Sequence, residues 1–258
     1  MANSINTGHA VNVENYNQLV INLSNMAGLW NPVNEMITIA ALTKHHKACD
    51  ATLKALNIAD AFDKKQTAAR AKAYLPLQSL TKRTVAAMKS CQMEASVIES
   101  AGTLVSLITG ANISKVTNKR KKMALKAHAL TITEGDPATE EEKNRSVSQL
   151  AFDARLKNFD KLVAQIETAG NYKTNHADLN LDALKNFSLS IQQANNSTND
   201  AFDVLSNVRK KRNELLYTDS NSLINRVALI KNELEALDGK NNVHYKKATG
   251  LKFVKFKG

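Results

Sequence analysis

The chain has 258 residues, a length that suits one large domain or two smaller ones. Its 9 glycines and 3 prolines are too few for a turn-rich β-sandwich, barrel or α/β fold. Apolar residues make up 43% of the chain and aromatic residues 5%, which favours long, closely packed helices. The formal net charge is +11, and two short segments carry it. The composition predicts an all-α protein and by itself indicates no activity.

The first ten residues contain neither a basic region nor an apolar run of the kind that a Sec signal peptide needs. We therefore expect synthesis in the cytoplasm, while later export by another route stays open and the final location is not predicted. No run of about 18 uncharged apolar residues occurs, so the sequence predicts no ordinary membrane span.

Two parts of the sequence match at a constant offset of 143 residues. Tyr16 recurs as Phe159 within a short amphipathic pattern, and Tyr74 recurs as Tyr217 much further along. Because the offset is unchanged over some sixty residues, the pattern predicts an old duplication that built two related three-helix repeats.

Each predicted repeat contains one long helix, over 33–75 and 178–217, because neither stretch has a glycine or a proline. Apolar residues of the second stretch keep the 3,4 spacing of a bundle seam, interrupted at Arg212. The first stretch carries mostly small residues along one side, and we expect a neighbouring helix to approach that side closely: Ala41, Ala48, Ala51, Ala55, Ile58, Phe62, Ala69 and Ala73.

Turns follow both long helices at equivalent points. Pro76 ends the first, and the turn-forming run 218–221 ends the second. The sequence therefore predicts a third helix in each repeat, over 77–91 and 222–237.

The region between the repeats is first apolar and then charged. Residues 96–113 hold one charged side chain and predict a buried helix, with a membrane-inserting element of a pore-forming toxin as the alternative. A basic and then acidic connector follows, over 111–147. Its clustered cations are candidate contacts for an anion or an acidic partner, with a solvated linker as the alternative: Lys119, Arg120, Lys121 and Lys122.

The C-terminal tail, residues 239–258, places apolar side chains among six lysines. Its alternation is too imperfect to predict a strand. We expect its apolar residues to contact another subunit, while an alternative is that the tail folds back and closes the core of its own bundle. The candidate assembly contacts are Tyr245, Leu251, Phe253, Val254 and Phe256.

Motifs of catalysis or metal binding are absent from the sequence. No nucleophile elbow, phosphate-binding loop, dinucleotide fingerprint or Glu-x-x-His motif occurs. Cys49 and Cys91 are predicted to be buried, reduced thiols, and His45 and His46 are adjacent rather than at the i, i+4 spacing of zinc ligands. We therefore expect no enzymatic activity, no catalytic residue, no cofactor and no metal.

Four short motifs resemble a family of helical proteins from Bacteroidetes-type bacteria. They are Gly8-His9-Ala10-Val11-Asn12, Ser148-Gln149 with Phe152-Asp153, Arg155 and Asn158-Phe159, Arg212-Asn213 with Leu215-Leu216-Tyr217, and Tyr245-Lys246 with Gly250-Leu251-Lys252-Phe253. The likeness extends over nearly the whole chain except 96–133. It implies a helical fold, and because the family carries no established activity it implies no site residues.

These observations predict an elongated helical bundle divided into a first repeat with an added helix (1–110), a connector (111–147), a second repeat (148–238) and a tail (239–258). The favoured function is that of a structural protein that assembles with itself, as a subunit of a filament, tube or other multimer. A leaderless helical pore-former or effector acting on an anionic membrane, and a nucleic-acid binder using the two basic segments, are the alternatives.

Overall fold

The computed structural model describes residues 4–110 and 140–254, and all regular secondary structure within these ranges is helical. The predicted all-α fold is confirmed. The α-helices of the described residues are α1 (Ser4–Ser24), α2 (Ile39–Tyr74), α3 (Leu77–Ser90), α4 (Ala95–Thr109), α5 (Glu140–Ala169), α6 (Leu181–Asn213), α7 (Leu223–Asp238) and α8 (Val243–Gly250). Among the helices described, none is long and apolar enough to cross a membrane.

The long helices α2 and α6 begin later than the sequence predicts, because both preceding loops are held by specific hydrogen bonds. Before α2, Trp30 Nε1 donates to the carbonyl of Ile37 at 3.1 Å. Before α6, Tyr172 Oη donates to the carbonyl of Leu179 at 2.8 Å. Both bonds join an aromatic residue to a carbonyl seven residues later, so each loop closes on itself before its helix starts.

The turns after α2 and α6 differ in their chemistry. Pro76 precedes the first residue of α3, where a missing N–H costs nothing. The α-helical geometry of α6 ends at Asn213 and changes to a π-helical turn over Glu214–Thr218. The uniform helix predicted up to 217 is thus wrong over its last residues, because a π turn leaves no signal in composition.

The chain divides into two compact units. Unit 1 combines 1–63 with 201–258, and unit 2 is 64–200. Both boundaries fall inside a long helix, so each unit takes parts from both predicted repeats. The predicted domain boundaries therefore do not coincide with the compact units. In unit 1 the physical reason is visible in a small cluster that joins α2 to the later part of α6, made by Leu56, Ala59, Leu205 and Val208.

The main core of unit 1 lies between α1, the first part of α2 and α7. Tyr16 and Leu19 of α1 are fully buried against Leu42 of α2 and Ile230 of α7. The amphipathic spacing predicted for α1 is therefore the face that packs.

The core of unit 2 lies between α3, α4, α5 and the first part of α6. Phe159 and Leu162 of α5 are fully buried, and the Phe159 ring packs edge-on against Phe187 of α6 with centroids 5.6 Å apart. Leu77 of α3 and Ile108 of α4 complete this core.

One prediction about α2 is wrong for its middle part. The side rich in small residues does not pack within the chain around Ala51, which is exposed. The buried side of α2 instead alternates apolar residues with polar ones, namely Leu42, His45, Cys49, Thr52, Leu56, Ala59, Asp63 and Arg70. Because half of these residues are polar, hydrophobic periodicity does not reveal this face.

Contacts around Tyr217 in unit 1 and Tyr74 in unit 2 follow the offset of 143 residues. Tyr217 Oη lies 2.6 Å from His9 Nδ1 and accepts a bond from Asn12. Tyr74 Oη donates to the carbonyl of Phe152 at 2.9 Å, and the Arg155 guanidinium lies over its ring. The partners of both tyrosines are thus also 143 residues apart. The duplication itself stays a prediction.

Candidate interaction surface

An apolar face on α2 within unit 1 is the feature that the fold leaves uncovered. Ile58 is 72% exposed and Phe62 is 42% exposed. Ala51 is exposed and Ala55 is half-buried beside them. These four residues, spaced 4, 3 and 4 apart, lie along one side of the helix, and we call them the α2 apolar face.

The α2 apolar face has a spacing that matches a second copy of itself. In an antiparallel pair of α2 helices, the register that sets Ala51 opposite Phe62 also sets Ala55 opposite Ile58. Each large side chain then meets a small one, which is the condition for close helix packing. The same four residues form both sides of such a contact, as a two-fold interface requires.

Lysines border the α2 apolar face along one edge. Lys44, Lys47 and Lys54 are exposed and fall on or beside the side of α2 that carries Ala51. Lys54 is paired with Asp50 of the same helix at 2.7 Å, with both side chains largely solvated. The edge is therefore predominantly basic, and its charge is open to screening by salt.

The C-terminal tail packs on its own unit up to Val254. Tyr245, Leu251 and Phe253 are half-buried against the core of unit 1. Three of the five predicted assembly contacts are therefore already used within the chain, and the alternative of a tail that closes its own core describes this segment. Val254 is exposed, and Phe256 lies outside the described residues.

Two asparagines of α1 hold the extended end of the tail. Asn12 Nδ2 donates to the carbonyl of Val254 at 2.8 Å, and the Val254 N–H donates to Asn12 Oδ1 at 2.8 Å. Asn15 Nδ2 donates to the carbonyl of Lys252 at 2.7 Å. We call Asn12 and Asn15 the asparagine pair. Sequence reasoning missed it, although both residues stand at i, i+3 on α1, because an asparagine in a helix carries no pattern that names its partner.

The apolar stretch 96–113 forms α4 up to Thr109, and its buried side packs in unit 2. Ala101, Leu104 and Ile108 are buried in the core, whereas Leu107 is exposed. Arg155 Nε donates to the carbonyl of Ile108 at 3.1 Å near the end of the helix. This placement agrees with the core interpretation of the stretch. The predicted anion contacts, Lys119, Arg120, Lys121 and Lys122, lie outside the described residues.

Two histidines of unit 1 are buried, which the sequence did not reveal. Burial lowers the pKa of His9 to about 4, with a further contribution from the charge of Arg212. Burial also lowers the pKa of His45 to about 4, with a contribution from Arg226. Both imidazoles are therefore neutral at pH 7. His45 Nδ1 lies 3.7 Å from Cys49 Sγ, and burial raises the pKa of that thiol to about 12, so the pair does not supply a reactive thiolate.

A surface pocket of about 510 Å³ lies in unit 2 between α3 and the loop before α6. Its polar groups already bond to one another. Arg83 pairs with Asp178 at 2.5 Å, and Cys91 Sγ donates to the carbonyl of Lys173 at 2.9 Å. The Cys91 thiol is half-buried and Cys49 is buried, and both are free.

Within 4–110 and 140–254, no group of three or more His, Cys, Asp or Glu side chains has the arrangement of a metal site. No family model matches the sequence, and neither a curated protein nor a solved structure matches it. The resemblance to helical proteins of Bacteroidetes-type bacteria stays a prediction, and any inference about function rests on the residues of this chain.

Proposed function

We propose that the protein is a structural subunit that assembles with itself and has no catalytic activity. The observation that carries this proposal is the exposed α2 apolar face, whose small and large residues alternate in a self-complementary order. Burial of one large apolar side chain contributes roughly 1.5 to 3 kcal/mol. Since a two-fold pair buries Ile58 and Phe62 from each copy, the contact supplies a driving force for association.

Sedimentation velocity over a range of protein concentrations tests this proposal. The unmodified protein is expected to form larger species as concentration rises. Ile58→Lys places a charge in the centre of the α2 apolar face and is expected to reduce association at least tenfold. Leu189→Lys is the matched control, because Leu189 is 54% exposed on α6 in unit 2 and adds the same charge elsewhere.

Two outcomes contradict the proposal. The unmodified protein sediments as a monomer at every concentration, or Leu189→Lys dissociates the assembly as strongly as Ile58→Lys. Circular dichroism of both variants confirms that the helices are retained, since each substitution replaces a side chain that mainly faces solvent.

A further inference from the structure

The asparagine pair recognises an extended backbone rather than particular side chains. Asn12 presents its amide oxygen and nitrogen to the N–H and carbonyl of Val254, as a neighbouring β-strand would. Asn15 lies one turn further along α1 and binds the carbonyl two residues earlier, at Lys252. The extended segment thus runs antiparallel to α1, and its backbone is bonded on one side at alternate residues.

Side chains of the same segment select for apolar residues at alternate positions. Leu251 and Phe253 are half-buried against the core of unit 1, whereas Lys252 and Val254 are exposed. Asn12 is itself fully buried and also donates to Tyr217 at 3.2 Å, which fixes its amide in place. The groove is therefore a built site for an extended peptide with apolar residues two positions apart.

The segment that fills this groove joins the rest of unit 1 through a short connection. α7 ends at Gly239, which has φ +68°, and α8 begins only at Val243. A side chain at Gly239 would be strained in this conformation, so glycine allows the sharp change of direction. Leu237 before the connection and Val243 after it are both exposed. The connection therefore holds two apolar side chains that unit 1 does not cover.

We propose that α8 and the segment through Val254 are exchanged between copies, so that the asparagine pair of one copy binds residues 252–254 of a second. The identical segment of another copy makes the same hydrogen bonds, and no other part of the fold has to open, because the segment lies beyond α7. A straightened connection lets Leu237 and Val243 of neighbouring copies come together. Exchange from each copy to the next can propagate or close into a pair. This inference rests on the proposed function, and it names the second contact between copies.

Cross-linking of paired single-cysteine variants tests the exchange. Asn15→Cys and Lys252→Cys are made in separate chains, each also carrying Cys91→Ser to remove the half-buried native thiol. The two proteins are mixed and treated with a cleavable bismaleimide. Exchange predicts a cross-linked dimer in the mixture and little cross-linked dimer from either protein alone.

The double variant Asn15→Cys, Lys252→Cys in one chain provides the lock. Cross-linked at low concentration, it holds its own segment in the groove and is expected to lose all species that depend on exchange. Cleavage of the linker is expected to restore them, which separates the effect of the lock from that of the substitutions. Helix content by circular dichroism confirms that the variants fold.

The inference is overturned if the unmodified protein associates and the locked chain associates equally, or if the mixture yields no intermolecular cross-link. Failure of the proposed function gives a different result, in which the unmodified protein does not associate at all. Ile58→Lys leaves the asparagine pair intact, so an intermolecular cross-link that persists in this variant shows that exchange operates without the α2 apolar face.

Discussion

Buried histidines make the stability of unit 1 depend on pH. The folded-state pKa of His9 and of His45 is about 4, below the ordinary value of 6.5. Between these values the unfolded chain binds more protons than the folded one. The stability from neutral histidines is therefore complete above pH 6.5 and is lost as pH falls toward 4, by up to a few kcal/mol.

Urea unfolding at pH 7.5 and pH 5 tests this prediction, followed by fluorescence of the chain's one tryptophan, Trp30, which is buried in unit 1. His9→Asn and His45→Asn are each expected to reduce the difference in unfolding free energy between the two pH values. The control is His176→Asn, which changes an exposed histidine. An equal reduction by His176→Asn would contradict the assignment.

The hydroxyl of Tyr74 connects three parts of unit 2. It donates to the carbonyl of Phe152, and it accepts a bond from Asn195 Nδ2 at 2.9 Å. Tyr74→Phe leaves both groups without this partner and is expected to cost about 1 to 3 kcal/mol in the free energy of unfolding. Tyr217→Phe removes the equivalent hydroxyl in unit 1.

If the duplication is real, both substitutions should destabilise by comparable amounts, as measured by urea denaturation. Superposition of residues 15–91 on 158–234 provides the structural test. A change in topology, or Pro76 falling opposite the interior of an unbroken helix, would exclude a duplication.

At the scale of the helices, α4 distinguishes a core element from a membrane-inserting one. Leu104 is 8% exposed and Leu107 is 50% exposed on the same helix. Leu104→Asp buries an unpaired charge and is expected to cost about 3 to 5 kcal/mol, whereas Leu107→Asp is expected to change stability little. Thermal melts followed by circular dichroism measure both. If Leu107→Asp left the fold intact and abolished dye release from liposomes by the unmodified protein, the pore-forming alternative would replace the core interpretation.

Much of the fold could be predicted from helical periodicity and the positions of glycine and proline. The buried residues of α1 and α5 follow the predicted spacing, and Pro76 marks the turn before α3. What could not be predicted depends on long-range partners. His9 and Asn12 lie in a polar segment whose burial requires Tyr217, more than 200 residues away.

The candidate surface was only partly predictable for the same reason. The sequence identified a side of α2 rich in small residues, but exposure depends on which neighbour covers it. Around Thr52 and Asp63 a side with polar residues packs inward instead. The tail shows the converse, since its apolar residues signalled a contact but not that the contact lies within the same chain.

For the whole molecule, charge separates self-assembly from nucleic-acid binding. A pair of α2 apolar faces brings the lysine-bordered edges of two copies to one interface, including Lys44, Lys47 and Lys54. These like charges repel at low salt, where the screening length is about 30 Å at 0.01 M, and are screened at 0.15 M, where it is about 8 Å. Self-association is therefore expected to strengthen as salt is raised over this range.

Binding of nucleic acid through the basic segments 111–133 and 239–258 has the opposite dependence, because it releases counterions and weakens steeply with salt. Sedimentation of the protein alone and gel-shift assays with duplex and single-stranded nucleic acid, both at low and at moderate salt, measure the two effects in parallel. A gel shift that disappears at moderate salt favours the nucleic-acid binder. Self-association that weakens with salt would show that opposite charges hold the copies together, which excludes paired α2 apolar faces as the contact.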